Sequence, residues 1–87
     1  MEVVKILSLL GDKTRLRILR LLREGEKSVS KIVKSLKLTQ PTISHHLKKL
    51  EEAGLVVKRQ YKNWVFYRLN ESSLREFIKE FGLKLNL

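Results

Sequence analysis

Two adjacent histidines, His45 and His46, are the residues of this sequence whose type most directly suggests chemistry. An imidazole can bind a metal ion or transfer a proton, but a metal site needs three or four converging ligands. The chain has no cysteine and no other histidine, and adjacent residues of a helix point about 100° apart. Nothing in the sequence points to a nucleophile or a carboxylate pair beside them. We therefore predict no metal site, no cofactor and no enzymatic activity.

Both histidines lie in a stretch whose apolar residues recur at helical spacing. With Ile43 at 0°, Leu47 and Leu50 fall within about 40° and define the buried side. His45 then lies at about 200°, on the opposite side, whereas His46 lies at about 300° and flanks the core. The predicted exposed side, with the first turn of the helix, carries mainly short polar and basic groups: Gln40, Pro41, Thr42, Ser44, His45, Lys48 and Lys49.

This exposed side suits the edges of DNA bases and the phosphate backbone. We predict that Gln40, Thr42, Ser44 and His45 contact bases, because hydroxyl, amide and imidazole groups can pair with base edges. The lysines contribute mainly attraction to phosphates. For His45 the alternative is a solvated surface residue, and for His46 a packing role at the edge of the core is favoured.

The overall charge favours the same partner. Lys and Arg number 19 against 9 Asp and Glu, a formal charge of +10, which indicates a polyanion as the partner. An anionic membrane would also attract this charge, but the basic residues are spread over predicted helices and a hairpin instead of gathered on one amphipathic helix. No apolar run reaches the ~20 residues that a membrane span requires, and no signal peptide is evident. We expect a cytoplasmic protein that acts on nucleic acid.

The segments before this helix are also predicted to be mostly helical. Residues 2–10 are apolar on nearly every side, which favours a helix that docks against another subunit. Asp12 is the predicted N-cap of the next helix. A very short strand follows at residues 27–29, Ser30 caps a helix that ends near Leu36, and Thr39 caps the helix that carries the histidines.

Residues 55–69 change to the pattern of a β-hairpin, rich in Val, Tyr, Phe and Trp. Asn63 is the candidate for a positive φ in its turn. Four basic residues of this hairpin either contact DNA or form a solvated ribbon, and of these we predict contacts from Lys62 and Arg59. A structural role bracing the hairpin is favoured for Trp64 over stacking in a nucleic-acid groove. Tyr67 is predicted to face the core. The other two basic residues are Lys58 and Arg68.

Three segments in order, LGDKTRLRILRLL, LTQPTISHHLKKLEEAGLV and VFYRL, give the chain a resemblance to the ArsR family of transcriptional repressors. Two predicted helices joined by a short turn and followed by a two-stranded hairpin make a mainly α fold with a small β-hairpin, the winged helix-turn-helix, and the resemblance implies the same fold. We assign one DNA-binding domain to residues 1–87, with the helix-turn-helix at about 30–53 and the wing at about 55–69. The resemblance to the family also implies a homodimer joined through the N- and C-terminal helices. The predicted interface comprises Val3, Leu7, Leu10, Leu74, Phe77, Ile78 and Phe81.

The sequence departs from the family where many members bind metal. Their motif of two cysteines and an aspartate is replaced here by Ser28, Ser30 and Lys31, and the last helix has no histidine for the family's second site. Metal sensing through either site is therefore disfavoured. Lys37 stands where the family often has Gly, so a positive φ there would cost ~1 kcal/mol.

The predicted function is a sequence-specific regulator of transcription, a repressor that binds a pseudo-palindromic operator on double-stranded DNA as a homodimer. The main alternative is an architectural or chromatin protein without sequence preference, since the same charge would serve it. A protein-interaction domain that has lost DNA binding fits poorly with Thr42, Ser44 and Lys48. The operator, the regulated genes and any effector cannot be read from the sequence.

Overall fold

The computed structural model describes residues 3–81, and the side chains of Val3 and Phe81 lie outside the description. The predictions of Val3 and Phe81 as interface residues therefore lie outside the described residues. The elements in chain order are α1 Val3–Leu10, α2 Lys13–Leu22, β1 Lys27–Ser28, α3 Val29–Leu36, α4 Gln40–Glu52, β2 Val56–Tyr61, β3 Trp64–Leu69 and α5 Glu71–Phe81. The helix-turn-helix is α3 and α4, and the hairpin of β2 and β3 is the wing, so the predicted winged helix-turn-helix is confirmed.

The core is formed by the apolar stripes of the helices together with the base of the hairpin. Ile43, Leu47 and Leu50 are fully buried, so the predicted buried side of α4 is confirmed. This orients α4 with its polar side outward. Other buried core residues come from all the remaining helices and from the wing: Ile6, Leu9, Ile18, Leu22, Ile32, Leu36, Leu55, Val56, Tyr67 and Phe77.

The three strands form one antiparallel sheet in the order β1-β3-β2. Lys58 of β2 is opposite Tyr67, and Arg59 is opposite Phe66. Since successive residues of a strand face opposite sides of a sheet, Lys58 shares a side with the buried Tyr67 and Arg59 does not. The register thus separates two neighbouring basic residues of the wing.

Two predicted caps differ in detail. The helix α3 is capped by Ser28, whose hydroxyl accepts from the Lys31 N–H at 3.1 Å, and not by Ser30 as predicted. The reason is that α3 begins directly after β1, two residues earlier than expected. Thr39 occupies the N-cap position of α4, but its hydroxyl bonds the Thr42 hydroxyl at 2.8 Å instead of a backbone N–H.

Two lysines adopt the left-handed backbone conformation. Lys37, in the turn between α3 and α4, has φ 55°, so the condition under which the sequence predicts a cost there is met. In the wing turn the positive φ belongs to Lys62, also at 55°, and the prediction of Asn63 was wrong. Both residues carry a Cβ that makes this conformation costly, by roughly 1 kcal/mol each.

The outer helices α1 and α5 pack on the protomer and still expose apolar side chains. Leu7 and Ile78 are 43% and 48% exposed, and Val4, which was not predicted, is 73% exposed. Leu10 and Leu74 are half-buried. Phe77, by contrast, is only 5% exposed, so it belongs to the protomer's own core and its prediction as an interface residue needs correction. No described helix is long and apolar enough to cross a membrane.

Candidate nucleic-acid interface

The outward side of α4 is the first part of the candidate interface. All seven residues predicted to face DNA on this helix are exposed, in agreement with the helical angles. Pro41 fits the first turn because that turn has no intrahelical N–H bond to lose. Contact of these side chains with bases and phosphates stays a prediction.

A groove of about 480 Å³ separates α4 from the wing. Gln40, Ser44 and Lys48 recur every fourth residue along α4, so they form one wall of this groove. The opposite wall includes Lys58 and Trp64. The groove therefore combines hydrogen-bonding groups, cations and an aromatic ring on two elements that a DNA backbone could contact together.

Lys58 lies in this groove although the sequence favoured Arg59. The Arg59 guanidinium forms a bidentate pair with the Glu26 carboxylate, at 3.0 and 2.6 Å, and lies 4.6 Å from the centre of the Phe66 ring. This pairing lowers the pKa of the Glu26 carboxyl and raises the pKa of Arg59. The structure thus commits Arg59 to the other side of the wing. Strand alternation with the inward-facing Tyr67 would have selected Lys58, had the register been known.

The wing tip carries two further candidates. Trp64 is 53% exposed, lines the groove and stands directly opposite Tyr61 across the hairpin, so its role as a brace stays a prediction. The ammonium of Lys62 lies 5.4 Å from the centre of the Tyr61 ring and does not line the groove. An exposed indole beside a cationic wall is suited to packing against a sugar or a base.

The groove also contains a carboxylate that the sequence did not single out. Glu51, one turn beyond Lys48 on α4, lines it together with Lys58 and Tyr67. Burial, and then the charge of Glu51, raise the pKa of the Tyr67 phenol, so this phenol stays protonated at neutral pH. Glu51 places a negative charge at the end of the wall formed by Gln40, Ser44 and Lys48, where it opposes close approach of phosphate.

His46 lies where its helical angle predicted, at the edge of the core. Its side chain is 14% exposed, and Nδ1 lies 3.3 Å from the Arg15 guanidinium and 3.9 Å from the Asp12 carboxylate. Burial lowers the pKa of His46, against the opposing effect of Asp12. The imidazole is therefore neutral at pH 7 and holds α4 against the start of α2.

The positions of the family's metal motif carry other functions here. The Ser28 hydroxyl is used as the cap of α3, and Ser30 lines the groove. Within residues 3–81, no three His, Asp or Glu side chains come together in a way that could hold a metal ion.

Comparison with known proteins shows that the chain is similar to transcriptional regulators. Residues 12–58 match the family model described as bacterial regulatory protein, arsR family. An uncharacterized HTH-type transcriptional regulator from Methanocaldococcus jannaschii is 46% identical over 79 residues, which cover 90% of this chain and 89% of that protein. An arsenical resistance operon repressor from Staphylococcus aureus is 37% identical over 82 residues, or 94% of this chain and 79% of that protein.

Solved structures show the same architecture. A homodimeric winged helix-turn-helix DNA-binding domain from Mycobacterium bovis, described as a possible ArsR-family transcriptional regulator, superposes with a TM-score of 0.78 and 30% sequence identity. The match covers 93% of this chain and 76% of that chain.

Proposed function

Because this chain belongs to the arsR family of bacterial regulatory proteins, we propose that it is a sequence-specific transcriptional repressor. It binds an inverted-repeat operator as a homodimer and blocks the promoter. Its site of action is chromosomal DNA in the cytoplasm. The observation that carries the proposal is the groove between α4 and the wing, where Gln40 and Ser44 lie opposite Lys58.

The division of labour within the interface follows from chemistry. Gln40 and Ser44 offer directional hydrogen bonds, and Gln40 lies in the first turn of α4, the part that enters a major groove in helix-turn-helix proteins. Lys48, Lys49, Lys58 and the wing tip add attraction that does not depend on sequence. Thr42 and His45, on the exposed side of α4, extend the base-reading set.

Dimerisation is supported by the exposed apolar side chains of α1 and α5. Val4, Leu7 and Ile78 expose between 43% and 73% of their surface, and water contact with such groups is unfavourable. The related Mycobacterium bovis domain is described as homodimeric. We propose that these residues, with the half-buried Leu10 and Leu74, form a two-fold interface that places two α4 helices one DNA turn apart, about 34 Å.

The proposed repressor does not respond to metal through the usual family positions. Hydroxyl and ammonium groups at Ser28, Ser30 and Lys31 supply no thiolate for the first of these sites, and the last helix supplies no histidine for the second. A release of operator DNA by zinc or arsenite at stoichiometric concentration would contradict this part of the proposal.

Selection of bound genomic fragments by the purified protein, followed by competition with random duplex, tests the proposal. We expect the selected fragment to stay bound under a large excess of random duplex, because specific sites are favoured by ~10³-fold or more. Release at equal mass concentrations would instead indicate an architectural protein.

Substitution of Gln40 sharpens the same experiment. Gln40→Ala should weaken binding to the selected fragment by about 1 to 3 kcal/mol and leave random-duplex affinity nearly unchanged. Ser35→Ala, an exposed change on α3 outside the groove, serves as the matched control. Equal losses on both DNAs for Gln40→Ala would remove Gln40 from the base-reading set.

A further inference from the structure

Arg15 joins three helices at one point. Its Nε donates to the Leu9 carbonyl near the end of α1 at 2.8 Å, and its terminal NH1 group lies 3.3 Å from Nδ1 of His46 on α4. Its own backbone N–H donates to the Asp12 carboxylate that caps α2, at 3.0 Å. One guanidinium therefore ties the end of α1 to the middle of α4.

The bond to His46 fixes the protonation state of the imidazole. A guanidinium has donors only, so Nδ1 must be the acceptor and carry no proton. A proton on Nδ1 would remove this acceptor and bring two positive groups together. The protonated nitrogen would instead favour the Asp12 carboxylate, 3.9 Å away. The cluster thus has two arrangements, and only the neutral one contains the bridge from α1 to α4.

We propose that Arg15 and His46 are positioning residues for operator recognition: their bond fixes the angle of α4 relative to α1, and with it the relative orientation of the two recognition helices, the α4 helix of each protomer, in the dimer. This inference rests on the proposed function, since it needs a dimer joined through α1 and an operator read by α4. Neither residue needs to touch DNA, because His46 is largely buried and Arg15 is half-buried.

Geometry explains why one bond would matter. The helix α1 carries Val4 and Leu7 of the proposed dimer surface, whereas α4 carries the base-reading residues. A rotation of α4 relative to α1 moves both recognition helices at once, and in opposite directions across the two-fold axis. A change in half-site spacing by one base pair is only about 3.4 Å, so a small rotation alters the operator that fits.

The charges around His46 determine how the bridge responds to pH. Asp12 favours the protonated imidazole, whereas burial, Arg15 and the neighbouring His45 favour the neutral form, and the balance lowers the pKa of His46 below 6.5. The bridge is therefore intact at pH 7. Its contribution is present above pH 6.5 and is lost as the pH falls through the lowered pKa of the folded protein.

Operators of altered spacing give the first test. The selected operator and variants with one base pair inserted or removed between the half-sites are titrated with wild-type protein, Arg15→Gln and the control Arg20→Gln. Arg20 is exposed on the same helix, so the control removes the same charge without the bridge. We expect Arg15→Gln to lose at least about fivefold in affinity for the selected operator and much less for the altered spacings.

An equal loss on all three spacings would show that Arg15 serves stability alone and would overturn the proposal. Circular dichroism melting of each variant accompanies the titrations. If Arg15→Gln does not fold, the test passes to His46→Asn, whose side-chain oxygen lies near the position of Nδ1 and cannot be protonated in this range.

The pH dependence of operator binding is a second test of the proposal. Wild-type protein should lose its preference for the selected spacing as the pH falls through the lowered pKa of His46, and His46→Asn should keep that preference over the same range. Loss of the pH effect in His45→Asn but not in His46→Asn would contradict the proposal, as would a pH-independent wild type. If the wild-type protein selects no operator at all, the proposed function itself fails, which is a different result from a change confined to spacing or pH.

Discussion

The register of the wing predicts opposite consequences for two adjacent substitutions, Lys58→Ala and Arg59→Ala. Lys58 lines the groove with no carboxylate partner in the described structure, so its ammonium is available to a phosphate. Arg59 is bound to Glu26 by two short hydrogen bonds on the other side of the sheet. We expect Lys58→Ala to weaken DNA binding and Arg59→Ala to affect mainly the stability of the fold.

The magnitude follows from counterion release. The slope of log affinity against log salt concentration is negative, and the loss of one phosphate contact makes it less steep by about 0.9. Between about 50 and 200 mM salt, a fourfold range, the ratio of wild-type to Lys58→Ala affinity should therefore shrink by about 3.5-fold. Because phosphates carry no sequence information, this change should be the same on operator and on random duplex.

Fluorescence anisotropy of labelled duplexes at four salt concentrations measures both slopes. Arg59→Ala should keep the wild-type slope and lower the thermal midpoint, since Glu26 loses its partner. The reasoning would be refuted if Arg59→Ala made the salt slope less steep and Lys58→Ala left it unchanged. That result would mean that the wing presents its other side to DNA.

Three further predictions concern the dimer, the turns and the capping carboxylate. Ile78→Lys should dissociate the proposed dimer in analytical ultracentrifugation while each protomer stays folded. Phe77→Ala should instead lower the free energy of unfolding by about 3 to 5 kcal/mol, because it opens the protomer core. A Phe77→Ala variant that is monomeric and as stable as the wild type would contradict this distinction. Lys37→Gly should stabilise the protein by up to about 1 kcal/mol in urea unfolding, because it relieves the positive φ, and an unchanged midpoint would count against strain there. The hydrogen bond from the backbone N–H of Arg15 lowers the pKa of the Asp12 carboxyl, so the stabilisation of the fold by this carboxylate is present above pH 3.8 and is lost as the pH falls through the lowered pKa. Asp12→Asn should remove this part of the dependence of stability on acid pH. An acid unfolding curve that Asp12→Asn leaves unaltered would refute this role of Asp12.

The recognition helix could be predicted closely from the sequence. Its apolar residues fall on one side at 100° per residue, and that alone separates His45 from His46. The sequence did not reveal that His46 meets Arg15, because the two residues are 31 positions apart and the contact depends on how α2 packs on α4.

In the wing, the sequence predicts the hairpin but not the side of the sheet on which each residue lies. The composition of residues 55–69 indicates a hairpin, but the side on which each residue lies depends on the register, and a shift of one residue would exchange Lys58 and Arg59. The register depends on the turn, where Lys62 and not Asn63 adopts the positive φ. A lysine is an uncommon choice for that conformation, so residue preference pointed to the wrong position.

The last helix shows why a helical stripe does not by itself define an interface. Phe77 and Ile78 are adjacent and apolar, and both fit the outward stripe of α5 in the sequence. In the packed structure Phe77 is 5% exposed and belongs to the core, whereas Ile78 is 48% exposed. Only the packed structure separates the protomer core from the proposed dimer surface.

Hydroxyl-radical footprinting on the genomic fragment that the protein selects is the most direct test of a dimeric, sequence-specific repressor. We predict protection related by two-fold symmetry, with the centres of the two half-sites about 34 Å apart along the duplex. A single unsymmetrical protected region, or uniform protection along the fragment, would contradict the proposal.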